Sequence, residues 1–395
     1  MNNPFKKSII AVELVPIFYL ETALLKCYRF SCDMSGYPAL LERLTLMIRG
    51  MGNPRAASFA RIFLLRSACQ ALGSSIVVRQ AARLNYEEFL RTYRVQRPES
   101  LECFKLPAAW LVQMLYFGLN PDSEDEEAAK VLIIKKCFNE LDDVKYPGMI
   151  LDPLIQSCPS ALMQKDLTWL AHVISVRLDE ESSLRFTRAL HSFLKALQRS
   201  IEEEQQSVRD HQSSALLLRR ENLQNVLQQC WMLNCQRFED PLFFLQNVKI
   251  FFILWCQTGQ NSKIEEACST LLSLSLNGKK VMSFAALTAK CKEILADVIS
   301  SILQYSSYQT YHQKQPDRQF GFPFTNPGNF VALFECLELP QRERIARQAL
   351  DELPSQPDDD PIISMIEVSH QDLLLRFAQV LSSTVNALTI AGNPY

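Results

Sequence analysis

The stretch RGMGNPRAASFARIFLLRSACQALG, residues 49–73, decides the fold of this chain. Gly50 and Gly52 end one helix. Asn53, followed by Pro54, is typical of the capped first turn of the next helix. At about 100° per residue, that second helix carries a face of small residues and a separate aromatic face. A helix with two apolar faces packs against two neighbours at once, which is typical of the inner helices of stacked arrays.

The aromatic face leads to a specific prediction about burial. Phe59 and Phe63 share this face, and we expect both rings to lie in the core between helices. The same stretch carries several arginines, which must end at edges or beside partners because an unpaired buried charge is costly. These arginines are Arg49, Arg55, Arg61 and Arg66.

The composition indicates a helical globular protein. The 395 residues are 48% hydrophobic and 21% charged, and only 11 of them are glycine. Few glycines, together with long segments rich in Leu, Ala, Gln, Glu and Arg, favour helices over tight hairpins. The net charge of −2 argues against broad electrostatic binding to nucleic acid or acidic lipid.

Along the chain, apolar residues recur at helical spacing in segments that alternate with short, proline-marked turns. No segment reads convincingly as a strand, and paired helices recur at roughly 40-residue intervals. The sequence therefore predicts an all-α fold, a HEAT-like α-solenoid of stacked antiparallel helix pairs. The prolines that open helices are Pro54, Pro107, Pro121, Pro159, Pro241, Pro340 and Pro361.

The pattern predicts three parts. The amino-terminal and central solenoid covers residues 1–305, a long loop covers 306–328, and further solenoid helices cover 329–395, where we expect the array to be truncated. The loop is polar, aromatic and proline-bearing. Its aromatic residues alternate with basic ones and could stack bases, but we favour a loop or a segment that orders on a partner.

No sequence motif indicates a catalytic site. The five histidines lack metal-ligand spacing, and there is no phosphate-binding loop and no nucleophile elbow. The pair Gly50 and Gly52 lacks the third glycine of a dinucleotide motif and follows a helix instead of a strand. The 12 cysteines include no C-x-x-C pair and are expected to be reduced thiols. We expect no enzyme activity, no cofactor and no metal.

The sequence also lacks the features of a secretory signal or a membrane span. Glu13 and Pro16 interrupt the first apolar run, which argues against a secretory signal. No uninterrupted apolar stretch of about 20 residues occurs, so we expect no membrane span.

Two blocks of the sequence resemble one family. VPIFYLETALLKCYRF, residues 15–30, resembles the P-R-L-Y-L segment of the large scaffold subunits of retromer and retriever. The opening stretch resembles the R-G-(I/V)-x-x-P-L…R…Y-L segment that follows in those proteins. The retriever form, I-P-R-F-Y-x-E…L-K-C…F, is the more similar of the two. The clear resemblance covers residues 15–73.

The resemblance implies a non-catalytic α-solenoid scaffold, cytoplasmic and peripheral on endosomes, whose membrane association is indirect. It implies an arrestin-fold partner held by the amino-terminal helices, a phosphoesterase-fold partner on the carboxy-terminal half, and the coiled-coil proteins of the Commander assembly, which together recycle membrane cargo. No nucleic-acid partner is implied. The residues expected to serve partner binding are Pro16, Phe18, Tyr19, Leu20, Arg49, Gly50, Pro54 and Arg61.

Two departures modify these expectations. The motif arginine is Ile17 here, so its contact is either lost or taken over by another cation such as Arg29 or Arg49. The last segment of this chain that resembles the family corresponds to the middle of the family's scaffold. We therefore expect the phosphoesterase-fold site to be absent and the chain to be a fragment or a short form.

Two alternatives to the retriever-type reading stay open. One is a retromer-type scaffold or another helical-repeat trafficking adaptor, which would have the same fold and a different partner. The other is an enzyme or a nucleic-acid binder, which would need a pocket of converging titratable groups or a wide basic groove.

Overall fold

A computed structural model describes residues 4–31, 34–119, 124–178, 181–207, 214–237, 240–258, 260–276, 288–312, 328–351 and 375–382. Within these ranges the chain forms α-helices joined by turns and short 3-10 segments, and no strand occurs. The prediction of an all-α fold is confirmed. The chain divides into two compact units, Met1–Ser213 and Ser214–Tyr395.

The first unit contains eleven described α-helices and 3-10 turns at Met34–Gly36 and Pro98–Phe104. The helices are α1 (Pro4–Ala23), α2 (Leu25–Ser31), α3 (Tyr37–Arg49), α4 (Pro54–Leu72), α5 (Ile76–Arg94), α6 (Lys105–Leu115), α7 (Glu124–Asn139), α8 (Gly148–Gln156), α9 (Ser160–Lys165), α10 (Leu167–Arg177) and α11 (Ser183–Ser207).

The second unit is described in the same way. Its helices are α12 (Ser214–Arg237), α13 (Pro241–Thr258), α14 (Asn261–Leu276), α15 (Ala289–His312), α16 (Gly328–Glu335) and α17 (Leu339–Asp351), and residues 375–382 are also helical. Helix α15 continues past residue 306, where the predicted loop begins. Residues 313–327 of that loop lie outside the described residues.

Helix packing follows the pattern of a solenoid within each unit. In the first unit, α3 contacts both α4 and α5, α4 contacts α6, and α6 contacts α8. In the second unit, α13 contacts α14 and α15, α14 contacts α16, and α15 contacts α17. Contact of each helix with the next and with the next but one is what two stacked layers of helices produce.

Helix α4 is delimited as its sequence predicts. The Oδ1 atom of Asn53 accepts hydrogen bonds from the N–H groups of Arg55 and Ala56 at 2.9 and 3.1 Å, and Pro54 occupies the first turn. Gly73 ends the helix with a φ of 62°, a left-handed conformation that favours glycine.

The prediction that Phe59 and Phe63 are both buried is wrong. Phe59 is half-buried and Phe63 is 37% exposed. The buried side of α4 is instead built on small and aliphatic residues, which allow close approach of α3, α5 and α6. These buried residues are Ala57, Ala60, Ile62, Leu64, Leu65 and Ala68.

None of the helices in the described part of the chain is both long enough and apolar enough to cross a membrane.

Candidate partner-binding site

The outward side of α1 carries no charged side chain over its last two turns. Phe18 and Thr22 are buried and fix which side of α1 faces the protein, and Leu25 at the start of α2 is also buried. At about 100° per residue, the exposed side chains then form one continuous arc. We name this arc the amino-terminal ridge, and it consists of Pro16, Ile17, Tyr19, Leu20, Ala23 and Leu24.

The ridge places several exposed apolar side chains next to one another. Leu20 is 62% exposed and Ile17 is 47% exposed, and they lie one turn apart on the same helix. A contiguous exposed apolar patch of this kind marks an interaction surface, because exposing it to water without a purpose is costly.

The two flanks of the ridge are held by different contacts. On one flank, Glu21 forms an ion pair with Arg43 of α3. On the other flank, the ring of Tyr19 lies 5.0 Å from the ring of Phe63 on α4. Because α1 packs on both α3 and α4, the ridge is positioned by two helices instead of by a loop.

A polar cluster joins α3, α4 and α5. Glu88, which is buried, accepts hydrogen bonds from Nε and Nη2 of Arg49 at 2.6 Å each. It also accepts one from Nη1 of Arg91 at 2.6 Å. The hydrogen bond from Arg49 lowers the pKa of the Glu88 carboxyl, against the opposing effect of burial.

Arg61 is the buried arginine of this cluster. It is 1% exposed, and its Nη1 atom donates to Oδ1 of Asn85 at 3.3 Å. Asn85 in turn donates to the Thr45 hydroxyl at 2.9 Å. Burial lowers the pKa of Arg61 to about 10, and the negative charge of Glu88 partly offsets that effect. Glu88 therefore compensates a buried charge as well as pairing with Arg49.

The structure separates the eight predicted site residues into three groups. Pro16, Tyr19 and Leu20 lie on the exposed ridge. Phe18 and Arg61 are buried and contribute no surface.

The remaining three predicted residues lie around the α3–α4 turn. Arg49 is half-exposed and held by Glu88. Gly50 follows α3, and Pro54 opens α4. Gly50 has an ordinary φ of −75°, but a Cβ atom there would lie 2.8 Å from Cδ2 of Leu14, so it allows close approach of α1.

Sequence reasoning missed four contributors to this region. Ile17, Leu24 and Phe63 add exposed apolar surface, and Glu88 supplies the central carboxylate. The helical spacing of the ridge residues was visible in the sequence, but which arc of α1 is covered depends on α3 and α4. The side chain of Arg29, one of two suggested replacements for the motif arginine, lies outside the described residues.

The rest of the described chain offers no catalytic or metal-binding constellation. No group of three metal-ligating side chains converges among the described residues, and the cysteines described are not in disulfides. A cavity of about 310 Å³ in the first unit is lined by mixed charges, among them Lys130, Arg199 and Glu203. Lys130 lies over the ring of Tyr116 at 5.0 Å, and Glu203 accepts a hydrogen bond from Ser160.

Comparison with known proteins places the matched region on these helices. The amino-terminal family described as VPS35L matches residues 1–102, which include α1 to α5. A "VPS35 endosomal protein sorting factor-like" protein of Drosophila melanogaster is 38% identical over 80 residues, 20% of this chain and 8% of the relative. The Homo sapiens protein of that name is 35% identical over 92 residues, 23% of this chain and 9% of the relative.

A longer and weaker match extends further along the chain. The Dictyostelium discoideum protein of the same name is 25% identical over 188 residues, 44% of this chain and 18% of the relative. The matched stretches thus span between 8% and 18% of the length of these relatives. The amino-terminal part of this chain therefore resembles the VPS35 endosomal protein sorting factor-like proteins, as its paired motifs predict.

Proposed function

We propose that this chain is a non-catalytic scaffold of a retriever-type complex that recycles cargo from endosomes, and that it binds an arrestin-fold subunit through α1 and α4. The observation that carries the proposal is the coincidence of two features. The sequence match to VPS35L and the uncharged, exposed ridge fall on the same helices. Cytoplasmic location, and endosomal attachment through partners, follow from this role.

The proposal has a physical basis in the ridge itself. Its apolar side chains stand on a rigid helix, so little conformational entropy is lost when a partner covers them. Tyr19 and Leu20 offer the kind of central apolar anchor that dominates interface energetics. The stacked helices around it supply a fixed frame for a binding surface.

The remaining partners are proposed from the resemblance alone. They are the coiled-coil proteins of the Commander assembly. The phosphoesterase-fold subunit is also part of the family's assembly, and we infer no site for it on this chain. Neither nucleic acid nor a cofactor enters the proposal.

Co-purification tests the proposed function directly. The full chain is expressed with the arrestin-fold subunit of retriever, and separately with that of retromer, and the amount of bound subunit is measured. We expect the retriever subunit to be retained and Leu20→Asp or Tyr19→Asp to reduce retention at least about tenfold. Retention of the retromer subunit instead would favour a retromer-type scaffold.

A matched control separates loss of the surface from loss of the fold. Leu132 on α7 is as exposed as Leu20, so Leu132→Asp changes charge equally without touching the ridge. We expect Leu132→Asp to bind like the wild type, with all variants retaining their helical circular dichroism. Failure of the wild-type chain to bind either arrestin-fold subunit would contradict the proposal.

A further inference from the structure

The exposed side of α4 continues the ridge with a different chemistry. Arg55, Phe59, Phe63 and Arg66 lie within about 80° of one another around the helix at 100° per residue. Both arginines are exposed, Phe59 is half-buried, and Phe63 contacts Tyr19 of the ridge. We name these four residues the arginine–aromatic stripe. It joins the ridge at the contact between Phe63 and Tyr19.

The two arginines of the stripe differ from their neighbours in having no side-chain acceptor in the part of the chain that the structure describes. Arg43, Arg49 and Arg91 are each paired with a carboxylate. Arg55 and Arg66 have no ion pair and no side-chain hydrogen bond among the described residues. Their charges are therefore available to a partner.

Charge is distributed unevenly along the chain. Residues 1–102 contain fourteen Lys and Arg against eight Asp and Glu, a net charge of +6. The remaining residues contain 27 Lys and Arg against 35 Asp and Glu, a net charge of −8. A positive potential over the first helices favours the approach of an acidic partner surface.

We propose that the ridge and the arginine–aromatic stripe form one docking surface for a protein whose contact face is apolar at its centre and acidic beside α4. This inference rests on the proposed function and specifies the chemistry of the partner. The partner's apolar centre covers Tyr19, Leu20 and Phe63. Its carboxylates accept from the guanidinium groups of Arg55 and Arg66, which the planar geometry of arginine suits.

A protein is favoured over an anionic membrane as the occupant. Membrane-surface helices flank their apolar face with free basic residues. Here Arg55 and Arg66 lie on one side only, on α4, whereas the charged neighbour on the opposite flank of the ridge, Glu21, is acidic and paired with Arg43. The stripe supplies arginine beside aromatic rings, a combination enriched at protein interfaces.

Binding kinetics test the inference. The full chain and its Arg55→Glu, Arg66→Glu and double variants are compared against the immobilised arrestin-fold subunit, at salt concentrations from about 0.05 to 0.5 M. Arg97→Glu serves as the control, because Arg97 is exposed in the same basic region but lies outside the stripe.

We expect each stripe variant to slow association about tenfold at low salt and to flatten its dependence on salt, since rim charges act mainly on the association rate. We expect Arg97→Glu to change the association rate at low salt less than about threefold. Unchanged kinetics in the double variant, with Leu20→Asp still abolishing binding, would overturn the inference and leave the proposed function standing. Binding of the full chain to phosphatidylserine vesicles that is lost in the double variant would also overturn it.

Discussion

Among single residues, Glu88 interacts with three arginines of the amino-terminal helices. Its buried carboxylate accepts from Arg49 and Arg91 and compensates the buried charge of Arg61. Removing Glu88 is costly because the buried charge of Arg61 would stay desolvated without its compensating carboxylate, although Arg49 and Arg91 are largely exposed. Because the cluster joins α3, α4 and α5, its loss should destabilise the helices on which α1 packs.

We therefore expect Glu88→Gln to lower the free energy of unfolding by about 3 kcal/mol, measured by urea denaturation at neutral pH. Glu42→Gln is the matched control on α3, since Glu42 is exposed and has no ion pair with any residue that the structure describes, and it should change stability by less than about 0.5 kcal/mol. Equal effects of the two substitutions would show that Glu88 is not the compensating charge.

The same carboxylate should make stability depend on pH with a defined sign. The pKa of Glu88 is lowered in the folded chain, chiefly by the hydrogen bond from Arg49. Its stabilising contribution is therefore complete above the unfolded pKa of about 4.3 and is lost as the pH falls from there through the folded pKa. The stability difference between wild type and Glu88→Gln should narrow across that window, and a constant difference would contradict this assignment.

Among the helices, α4 packs against its neighbours with one side and exposes the other. Leu64 is fully buried on the packing side, whereas Phe63 is partly exposed beside the ridge. We expect Leu64→Ala to destabilise by about 3 kcal/mol and Phe63→Ala by only about 1–2 kcal/mol, because the exposed ring leaves a smaller cavity. Thermal or urea unfolding measures both. Phe63→Ala should weaken partner binding, and a stability loss as large as that of Leu64→Ala would contradict this division.

The close approach of α1 to the α3–α4 turn gives a second prediction for these helices. A Cβ atom at Gly50 would lie 2.8 Å from the end of the Leu14 side chain, which can shift. Gly50→Ala should therefore cost less than about 1 kcal/mol but displace α1 and weaken binding of the arrestin-fold subunit. Gly52 has open space around its Cβ position, so Gly52→Ala should bind normally. Identical binding by both variants would show that this contact does not position the ridge.

For the whole molecule, the sequence predicts what is local and misses what depends on packing. The cap at Asn53 and the helix end at Gly73 were predictable, because both depend on residues within one turn. The all-α class followed from helical periodicity along the chain.

Burial at the site was not predictable from the same pattern. Phe63 and Ile62 lie on adjacent parts of one helix, yet Ile62 is buried and Phe63 is partly exposed. Which of them is covered depends on where α1 crosses α4, and no single helix pattern encodes that crossing. The pairing of Glu88 with Arg49 spans 39 residues and is likewise set by the stacking of α3 on α5.

Hydrogen exchange of the full chain, with and without the arrestin-fold subunit of retriever, tests the central claim most directly. The proposed docking surface predicts slower exchange on complex formation in residues 16–24 of the ridge and residues 55–70 of α4, with no comparable change in α7. A complex that forms while exchange in both segments stays unchanged, or changes only elsewhere in the chain, would contradict it.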